Sequence, residues 1–316
     1  MMPRVELYSP DRASVWNEFL SHSRNGTFLF LREYMDYHAS RFIDFSLMFY
    51  YKQRLVALFP ANRQGSHLYS HKGLSYGGLI MSNGLTAAVV CDIFTVMNDF
   101  LRTSGISCVT YKPVPHIYSL LPCDEPLYAL NLVCHATMVG RDLASVVRRG
   151  EGALRLAELR RRGMRKALSI GLTVGLSYDY ASFWTILQDN LAIKYNARPV
   201  HTLDEITLLS SRFPDNIKLY AVFEHGVMIA GTVLYITPQV VKTQYISASP
   251  RGKATGALDL LFSQIISDTT FSQPYLDMGT SALANGKNGE LNLSLISQKE
   301  GFGGRGVCYD TYEWEL

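Results

Sequence analysis

Two polar side chains stand where a carboxylate and an amine could act on a bound substrate. In YLDMGTS, residues 275–281, Asp277 ends an apolar run and is followed by Gly279. In SQKEGFGG, residues 297–304, Lys299 closes a predicted helix that glycines then break. A carboxylate can accept a proton, and an ammonium can stabilise a developing negative charge. Each residue also has a local interpretation: an Asx turn for Asp277, and a favourable cation at a helix end for Lys299.

A strand, a basic glycine-containing segment and an amphipathic helix follow one another in QYISASPRGKATGALDLLFSQI, residues 244–265. The start of a helix offers unpaired backbone amides and the positive end of the helix dipole, which suit a pyrophosphate. The pattern predicts a phosphate-binding loop made of Arg251, Gly252, Lys253, Ala254, Thr255, Gly256 and Ala257. The competing interpretation is an ordinary strand-to-helix turn with solvated basic side chains.

Histidine and tyrosine side chains cluster in HLYSHKGLSYGG, residues 67–78, beside a predicted strand with a double glycine. Such a group could remove a proton from an amine or hydroxyl and return one to a leaving group. We take His71 and Tyr76 as the candidates, and a polar strand end is the alternative. His67 and His71 have no third ligand near them in the sequence, so we expect no metal site.

A polar segment, KYNARPVHTLDE at residues 194–205, lies between two predicted helices. Thr202 and Glu205 have the spacing of a capping box, so the second helix should begin there. The segment is either a solvated connection or a substrate-facing loop. Its candidate binding residues are Lys194, Tyr195, Arg198 and His201.

The composition is that of a folded globular protein. Of the 316 residues, 47% are hydrophobic and 18% are charged, and the net charge of +3 is too small to predict nucleic-acid binding by itself. The five cysteines are odd in number and lack metal-ligand spacing, which predicts free thiols in a reducing compartment. No signal-peptide pattern and no apolar run long enough to span a bilayer is found, so we expect a cytoplasmic protein without stable membrane insertion.

The predicted elements mix helices and strands in two similar series. Each half reads as two helices, a hairpin, a third strand, a helix, a strand, a helix and a strand. The hairpin of the second half is predicted to turn at Glu224, His225 and Gly226. In this interpretation residues 127–140 form a long strand, and residues 142–170 form a long helix. We therefore predict an α/β (α+β) protein built from two copies of one unit.

Several stretches together resemble the tandem-GNAT group that includes the Fem-type peptidoglycan aminoacyltransferases (FemAB-like) and acetyltransferases of bacterial surface-polysaccharide pathways. The segment from Arg251 to Gly256 is similar to the GNAT phosphate loop, with Ala254 where the first glycine would stand. The similar stretches cover both halves in the expected order and are YKPVPHIY at 111–118, RRRGMRKAL at 160–168, LAIKYNARPVHTLDEI at 191–206, YLDMGTS at 275–281 and SQKEGFGG at 297–304.

The resemblance implies two tandem GNAT-like domains, at residues 1–140 and 141–316, each with a mixed central sheet flanked by helices. It implies transfer of an acyl group, acetyl in the first instance, from acyl-CoA as co-substrate to an amine or hydroxyl by direct attack on the thioester. The implied acceptor is a small molecule or glycan precursor: an amino sugar, a sugar nucleotide or a cell-envelope intermediate. The glycine segment of the second domain would hold the donor phosphates, and Asp277, Ser281 and Lys299 would line the substrate side.

Two alternatives remain open at this stage. A Fem-type enzyme would take aminoacyl groups from tRNA, and RRGEGALRLAELRRRGMRK at residues 148–166, with seven arginines and one lysine, could contact RNA phosphates. Such charge runs are more often solvated helix faces. A tandem domain that only binds an envelope precursor is the other alternative.

Overall fold

The computed structural model describes residues 1–283 and 290–316, apart from the side chains of Lys194 and Tyr195. The chain divides into two compact units. Unit 1 comprises residues 1–142 and 308–316, and unit 2 comprises residues 143–307. The division thus falls two residues beyond the predicted boundary at 140/141. It also assigns the last nine residues to unit 1, where they pair with one of its strands.

Unit 1 begins with strands and short helices, and its longest helix is α3 (Ala87–Thr103). Its helices are α1 (Ala13–Ser21), α2 (Arg32–Met35), α3 (Ala87–Thr103) and α4 (Glu125–Leu132), with 3-10 turns at Pro10–Arg12, Phe28–Phe30, Asp36–Arg41 and His116–Tyr118. Its strands are β1 (Arg4–Leu7), β2 (Ile43–Asp44), β3 (Leu47–Tyr51), β4 (Arg54–Phe59), β5 (Asn62–Gln64), β6 (His67–Tyr69), β7 (Ile80–Met81) and β8 (Cys108–Tyr111).

Two strands cross the boundary between the units along the chain: β9 (Thr137–Arg148) and β15 (Arg305–Glu315). In unit 1, β1, β3, β4 and β7 form one sheet in that order, and β2, β5, β6, β8 and the end of β15 form a second series. The core of unit 1 packs α3 against both series through Ile93, Phe94 and Met97, all fully buried. Apolar residues recur on one side of α3 because that side faces the sheets.

Unit 2 is a twisted sheet with helices against it. Its helices are α5 (Glu158–Ser169), α6 (Tyr180–Tyr195), α7 (Leu203–Arg212), α8 (Pro250–Thr255), α9 (Ala257–Ser267) and α10 (Leu293–Glu300). Its remaining strands are β10 (Thr173–Ser177), β11 (Ile217–Glu224), β12 (Val227–Ile236), β13 (Val240–Ala248) and β14 (Tyr275–Thr280). The order is β10-β11-β12-β13-β14-β9, antiparallel except for the parallel pair β13 and β14.

The parallel pair β13 and β14 is joined over only part of its length. Pairing ends where Lys242 lies beside Asp277, although β13 continues to Ala248 and β14 to Thr280. Beyond Lys242 the two strands separate. The opening between them leaves room for side chains and for a ligand.

Two predictions of secondary structure are wrong. Residues 125–132 form helix α4, not a strand, because Pro126 suits a first helical turn and leucine and alanine favour helix. Residues 142–148 belong to β9, and helix α5 begins only at Glu158. Gly150 and Gly152 both have positive φ, so a continuous helix does not run through this region.

The local predictions with explicit capping or turn residues are confirmed. Thr202 and Glu205 form the reciprocal capping box at the start of α7. The hairpin between β11 and β12 turns at His225 and Gly226, both with positive φ. Among the described residues, no helix has the length and apolar character needed to cross a membrane.

Candidate active site

A cleft of about 200 Å³ opens in unit 2 where β13 and β14 separate. The end of β13 and Met278 of β14 form its floor, and α6, α9 and α10 supply its walls. Apolar side chains dominate the lining, and they are Leu187, Leu191, Ile246, Leu258, Phe262, Met278 and Leu295. A few polar groups reach the same space, as is typical of ligand sites, and they are Asn190, Ser247, Lys253, Gln298 and Lys299.

Lys299 brings an amine into this apolar cleft. The residue is only 4% exposed, and its Nζ donates hydrogen bonds to the carbonyls of Gly279 at 2.8 Å and Thr280 at 2.7 Å. These carbonyls belong to β14 and not to the helix that carries Lys299, so the ammonium does more than complement a helix end. Burial lowers the pKa of Lys299 to about 8, Asp277 opposes this effect, and Lys242 adds to it.

Asp277 holds the turn that presents these carbonyls. Its carboxylate is fully buried; Oδ1 accepts the Gly279 amide at 2.7 Å, and Oδ2 lies 3.5 Å from Lys242 Nζ. Gly279 has φ +74°, a conformation that favours glycine. The Asx turn considered from the sequence is therefore present. Asp277 accepts the amide of Gly279, and the carbonyl of Gly279 accepts from Lys299. Asp277 therefore fixes the backbone that holds Lys299.

Ser281 follows this turn and is fully buried. Its amide donates to Leu143 O at 3.1 Å and its carbonyl accepts from Asn292 N at 2.8 Å. Its Oγ has no hydrogen-bond partner among the described residues. Within the described part of the chain, this hydroxyl can therefore still donate and accept, two residues beyond Gly279.

The predicted phosphate loop is wrong in its secondary structure, because residues 250–255 form helix α8. Ser249 caps this helix: its Oγ accepts the Gly252 amide at 3.1 Å and its carbonyl accepts the Lys253 amide at 2.9 Å. Pro250 has no amide hydrogen. Of the first backbone donors, only the Arg251 amide remains for a phosphate.

The side chains of this segment point in different directions. Lys253 lines the cleft and its Nζ donates to Asn190 Oδ1. Arg251 instead forms a bidentate pair with Glu224 at 2.9 and 2.6 Å. The carbonyl oxygen of Ala254 accepts a hydrogen bond from Lys166 Nζ at 2.8 Å.

The remaining members of the segment serve packing. The Thr255 hydroxyl donates a hydrogen bond to the carbonyl oxygen of Arg251 at 2.9 Å. Ala257 is fully buried. A side chain at Gly256, which has φ +78°, would lie 2.6 Å from the backbone oxygen of Gly163. Gly252 is buried in the same manner against Ile229.

The four candidate binding residues at 194–201 do not all lie in the one loop that the sequence predicted. Lys194 and Tyr195 close helix α6, and their side chains lie outside the described residues. Arg198 is exposed in the connection to α7. His201 is buried, and its Nδ1 lies 2.5 Å from the hydroxyl of Tyr245.

A second pocket, of about 210 Å³, lies in unit 1. It is lined by Tyr69, Ser70, His71, Lys72, Thr110 and Lys112. His71 is 4% exposed with φ +62°, and its Nδ1 has no hydrogen-bond partner among the described residues. Burial and the neighbouring His38 lower the pKa of His71 to about 3, so the ring is neutral near pH 7.

The double glycine beside this pocket allows a close backbone approach. A Cβ at Gly77 would lie 1.9 Å from the carbonyl oxygen of Ser70, and one at Gly78 would lie 2.5 Å from the ring of Tyr111. Tyr76 itself is buried against the rings of Tyr118 and Phe30. The segment 70–78 is thus fixed tightly, with His71 at the pocket and Tyr76 in the core.

Sequence reasoning missed three contributors to these sites: Lys242, Asn190 and Lys112. Lys242 stands alone inside the apolar run of β13, and a lone lysine in such a run was the available signal. Asn190 donates to Ser247 Oγ and to Ala248 O, both at 2.7 Å, which ties α6 to β13. Lys112 follows the last residue of β8, within the stretch quoted above for the resemblance.

No protein-family model and no curated protein matches the chain. Solved structures do match its fold. FemX superposes with a TM-score of 0.69 at 9% identity, over 99% of this chain and 97% of FemX. A tandem GNAT protein from the clavulanic acid biosynthesis pathway gives 0.54 at 10% identity, over 99% and 98% of the two chains.

L-PGS from Bacillus licheniformis is a third similar structure, with a TM-score of 0.56 at 11% identity, covering 96% of this chain and 91% of that one. The chain therefore has a Fem-type tandem GNAT-like fold, and the predicted fold class is confirmed.

Proposed function

We propose that this protein is an acyltransferase that moves an acyl group, acetyl in the first instance, from acyl-CoA to an amine or hydroxyl. The reacting carbonyl would lie in the cleft where β13 and β14 separate. The observation that carries this proposal is Lys299, an amine buried in an apolar cleft and held there by two carbonyls of one strand turn.

The chemistry follows from the hydrogen bonds of this amine. Two of the three ammonium hydrogens are used by Gly279 and Thr280, so the third can be donated to a ligand. The acceptor nitrogen or oxygen attacks the thioester carbonyl carbon, and the carbonyl oxygen gains the charge that Lys299 stabilises. The C–S bond then breaks, and the thiolate takes up the proton lost by the acceptor. A fixed donor in a dry site is worth much more to this step than the same donor in water.

The apolar lining supports an acyl-CoA donor. A narrow cleft walled by leucine, isoleucine, phenylalanine and methionine suits the flexible arm of a thioester better than it suits a nucleoside. Lys253 is the one cation of α8 in the lining, and it would meet a donor phosphate. The fold shared with the tandem GNAT protein supports the same donor class.

The pocket of unit 1 is suited to a ligand that carries a phosphate. Lys72 and Lys112 line it beside the neutral ring of His71, and neither lysine forms an ion pair with a described residue. An amino sugar joined to a nucleotide, or a phosphorylated cell-envelope intermediate, has the anionic groups that these lysines would bind. His71 would accept or donate a hydrogen bond without adding charge.

A second candidate is transfer from an aminoacyl-tRNA. The specific observation in its favour is that the start of α8 leaves only the Arg251 amide for a pyrophosphate, which disfavours CoA as the donor. The fold shared with FemX supports it as well. Exposed arginines at 148, 155 and 162 could bind RNA phosphates, and binding would then weaken with salt.

Thermal-shift measurements on the full chain with acetyl-CoA, CoA and a charged tRNA separate these candidates. We expect CoA to raise the melting temperature, and acetyl-CoA to release free thiol when an amino sugar acceptor is added. Lys253→Ala should weaken the CoA shift, whereas Arg251→Ala should leave it unchanged because Arg251 pairs with Glu224. Substitution of Gly256 is unsuitable, because that residue packs on Gly163.

The other outcomes are equally informative. A shift with charged tRNA alone, weakened by salt, would establish the second candidate and contradict the first. No shift with any donor would contradict both, and would leave a protein that only binds an envelope precursor.

A further inference from the structure

Three neighbouring strands of unit 1 bring a histidine, a cysteine and a glutamate to one face. His67 on β6 pairs with Cys108 on β8, and Glu313 on β15 pairs with Thr110 of the same strand. Cys108 and Thr110 are two residues apart, so their side chains point to the same face of the sheet. The three chemically active residues are therefore adjacent in space although the sequence separates them widely.

Their donor atoms are close enough to share one ion. The imidazole nitrogen of His67, the sulfur of Cys108 and a carboxylate oxygen of Glu313 all lie within 4.8 Å of one another. His67 Nε2 is 3.9 Å from Glu313 Oε2. Thr110 Oγ1 bridges these two groups, 2.7 Å from the imidazole and 3.1 Å from the carboxylate.

We propose that His67, Cys108 and Glu313 bind a zinc ion. Imidazole nitrogen, thiolate sulfur and carboxylate oxygen are the ligands that Zn²⁺ uses in proteins, at about 2.0–2.3 Å. A tetrahedral ion with such bonds places its ligand atoms about 3.3–3.8 Å apart, so binding would draw the three groups from within 4.8 Å of one another to that spacing. A water molecule completes the tetrahedron.

The charges balance around such an ion. Glu315 stands directly opposite Cys108 in the strand pairing. When zinc binds, the Zn–S bond forms and the thiol proton leaves to solvent. One thiolate and one carboxylate then neutralise the two charges of the ion.

The strand positions explain what the ion would do. Residues 308–316 are the last of the chain and belong to unit 1, where β15 pairs with β8. An ion shared by β6, β8 and β15 would fasten this last strand to the unit, and its binding free energy would add to the stability of the fold. This inference does not depend on the proposed function.

The test is zinc binding to the metal-stripped full chain, measured by competition with a chromogenic chelator. We expect one tight Zn²⁺ per chain. His67→Ala, Cys108→Ser and Glu313→Gln should each weaken binding by about tenfold or more, since even partners outside the ligand set change affinity by 10–100-fold. Cys308→Ser is the matched control, because Cys308 is an exposed thiol on the same strand β15.

Cobalt(II) gives a second readout that a change in stability would not imitate. Bound through a thiolate, it should show a sulfur-to-metal charge-transfer band in wild type and in Cys308→Ser, but not in Cys108→Ser. Circular dichroism establishes that each variant is folded. Absence of stoichiometric zinc binding to wild type, or equal affinities in Cys108→Ser and Cys308→Ser, would overturn the proposal.

Discussion

Two buried basic side chains, Lys299 in unit 2 and His71 in unit 1, differ in how the fold treats their protons. The ammonium of Lys299 is bound by two carbonyls, and its pKa of about 8 leaves it mostly protonated near neutrality. The ring of His71 has an unpartnered Nδ1 among the described residues and a pKa of about 3. Burial acts on both, because desolvation disfavours either charged form. Lys299 keeps its charge because two carbonyls accept its hydrogens, whereas His71 is neutral and its Nδ1 has no partner among the described residues.

The difference separates the chemistry that each site can perform. A protonated amine next to a reacting carbonyl stabilises negative charge. A neutral imidazole contributes a hydrogen bond and no charge, which suits recognition of a hydroxyl or a phosphate ester. His71 also keeps a left-handed backbone, and such strain is common where a side chain is aimed at a ligand. We therefore propose that Lys299 takes part in the chemical step and that His71 takes part in recognition.

The largest expected effect comes from removal of the amine. Lys299→Ala should lower the single-turnover rate of acyl transfer by about 10²–10³-fold, the loss typical of one oxyanion donor. Gln298→Ala is the matched control, since Gln298 lines the same cleft one residue earlier on α10. If Lys299→Ala changed the melting temperature but left the rate unaltered, Lys299 would be a structural residue only.

The second effect concerns the carboxylate beneath the amine. Asp277→Asn should lower the free energy of unfolding by about 3–5 kcal/mol, because it removes the buried carboxylate that lies 3.5 Å from the Lys242 ammonium. The double variant Asp277→Asn/Lys242→Met should recover most of this loss, because the buried charge of Lys242 is then removed together with the carboxylate. Urea denaturation measures both. Equal stability of the single and double variants would show that the pair is not coupled.

The third effect tests the neutral state of His71. Its pKa is lowered in the folded protein, so between about pH 6.5 and 3 the unfolded chain binds a proton that the folded chain does not. Stability should therefore fall as pH decreases through this window, by about 1.4 kcal/mol per pH unit. His71→Asn should lack this component, since asparagine tolerates φ +62°. Parallel stability curves from pH 6.5 to 4 for both proteins would contradict the assignment.

The sequence predicted those parts of the fold that local chemistry determines. A capping box and a turn with positive φ are specified by adjacent residues, so α7 and the β11–β12 hairpin were predicted correctly. The start of α8 also had a local signal, because Ser249 followed by Pro250 is a typical helix beginning. Its glycines and basic residues favoured a phosphate loop instead.

The site itself could be predicted only in part. Lys299 and Asp277 were visible because a polar residue at the end of an apolar run is unusual. The cleft was not visible, since it depends on the point where β13 and β14 stop pairing. Lys242 becomes the neighbour of Asp277 only through that parallel register. Contacts between residues so far apart in the chain are a property of tertiary structure.

The pH dependence of acyl transfer tests the central assignment most directly. With the donor that supports turnover, kcat/KM of the wild-type protein should decrease above a pH of about 8, as Lys299 loses its proton. The residual activity of Lys299→Ala should lack this decrease. A wild-type profile that is flat from pH 7 to 9.5, or the same decrease in Lys299→Ala, would contradict the account.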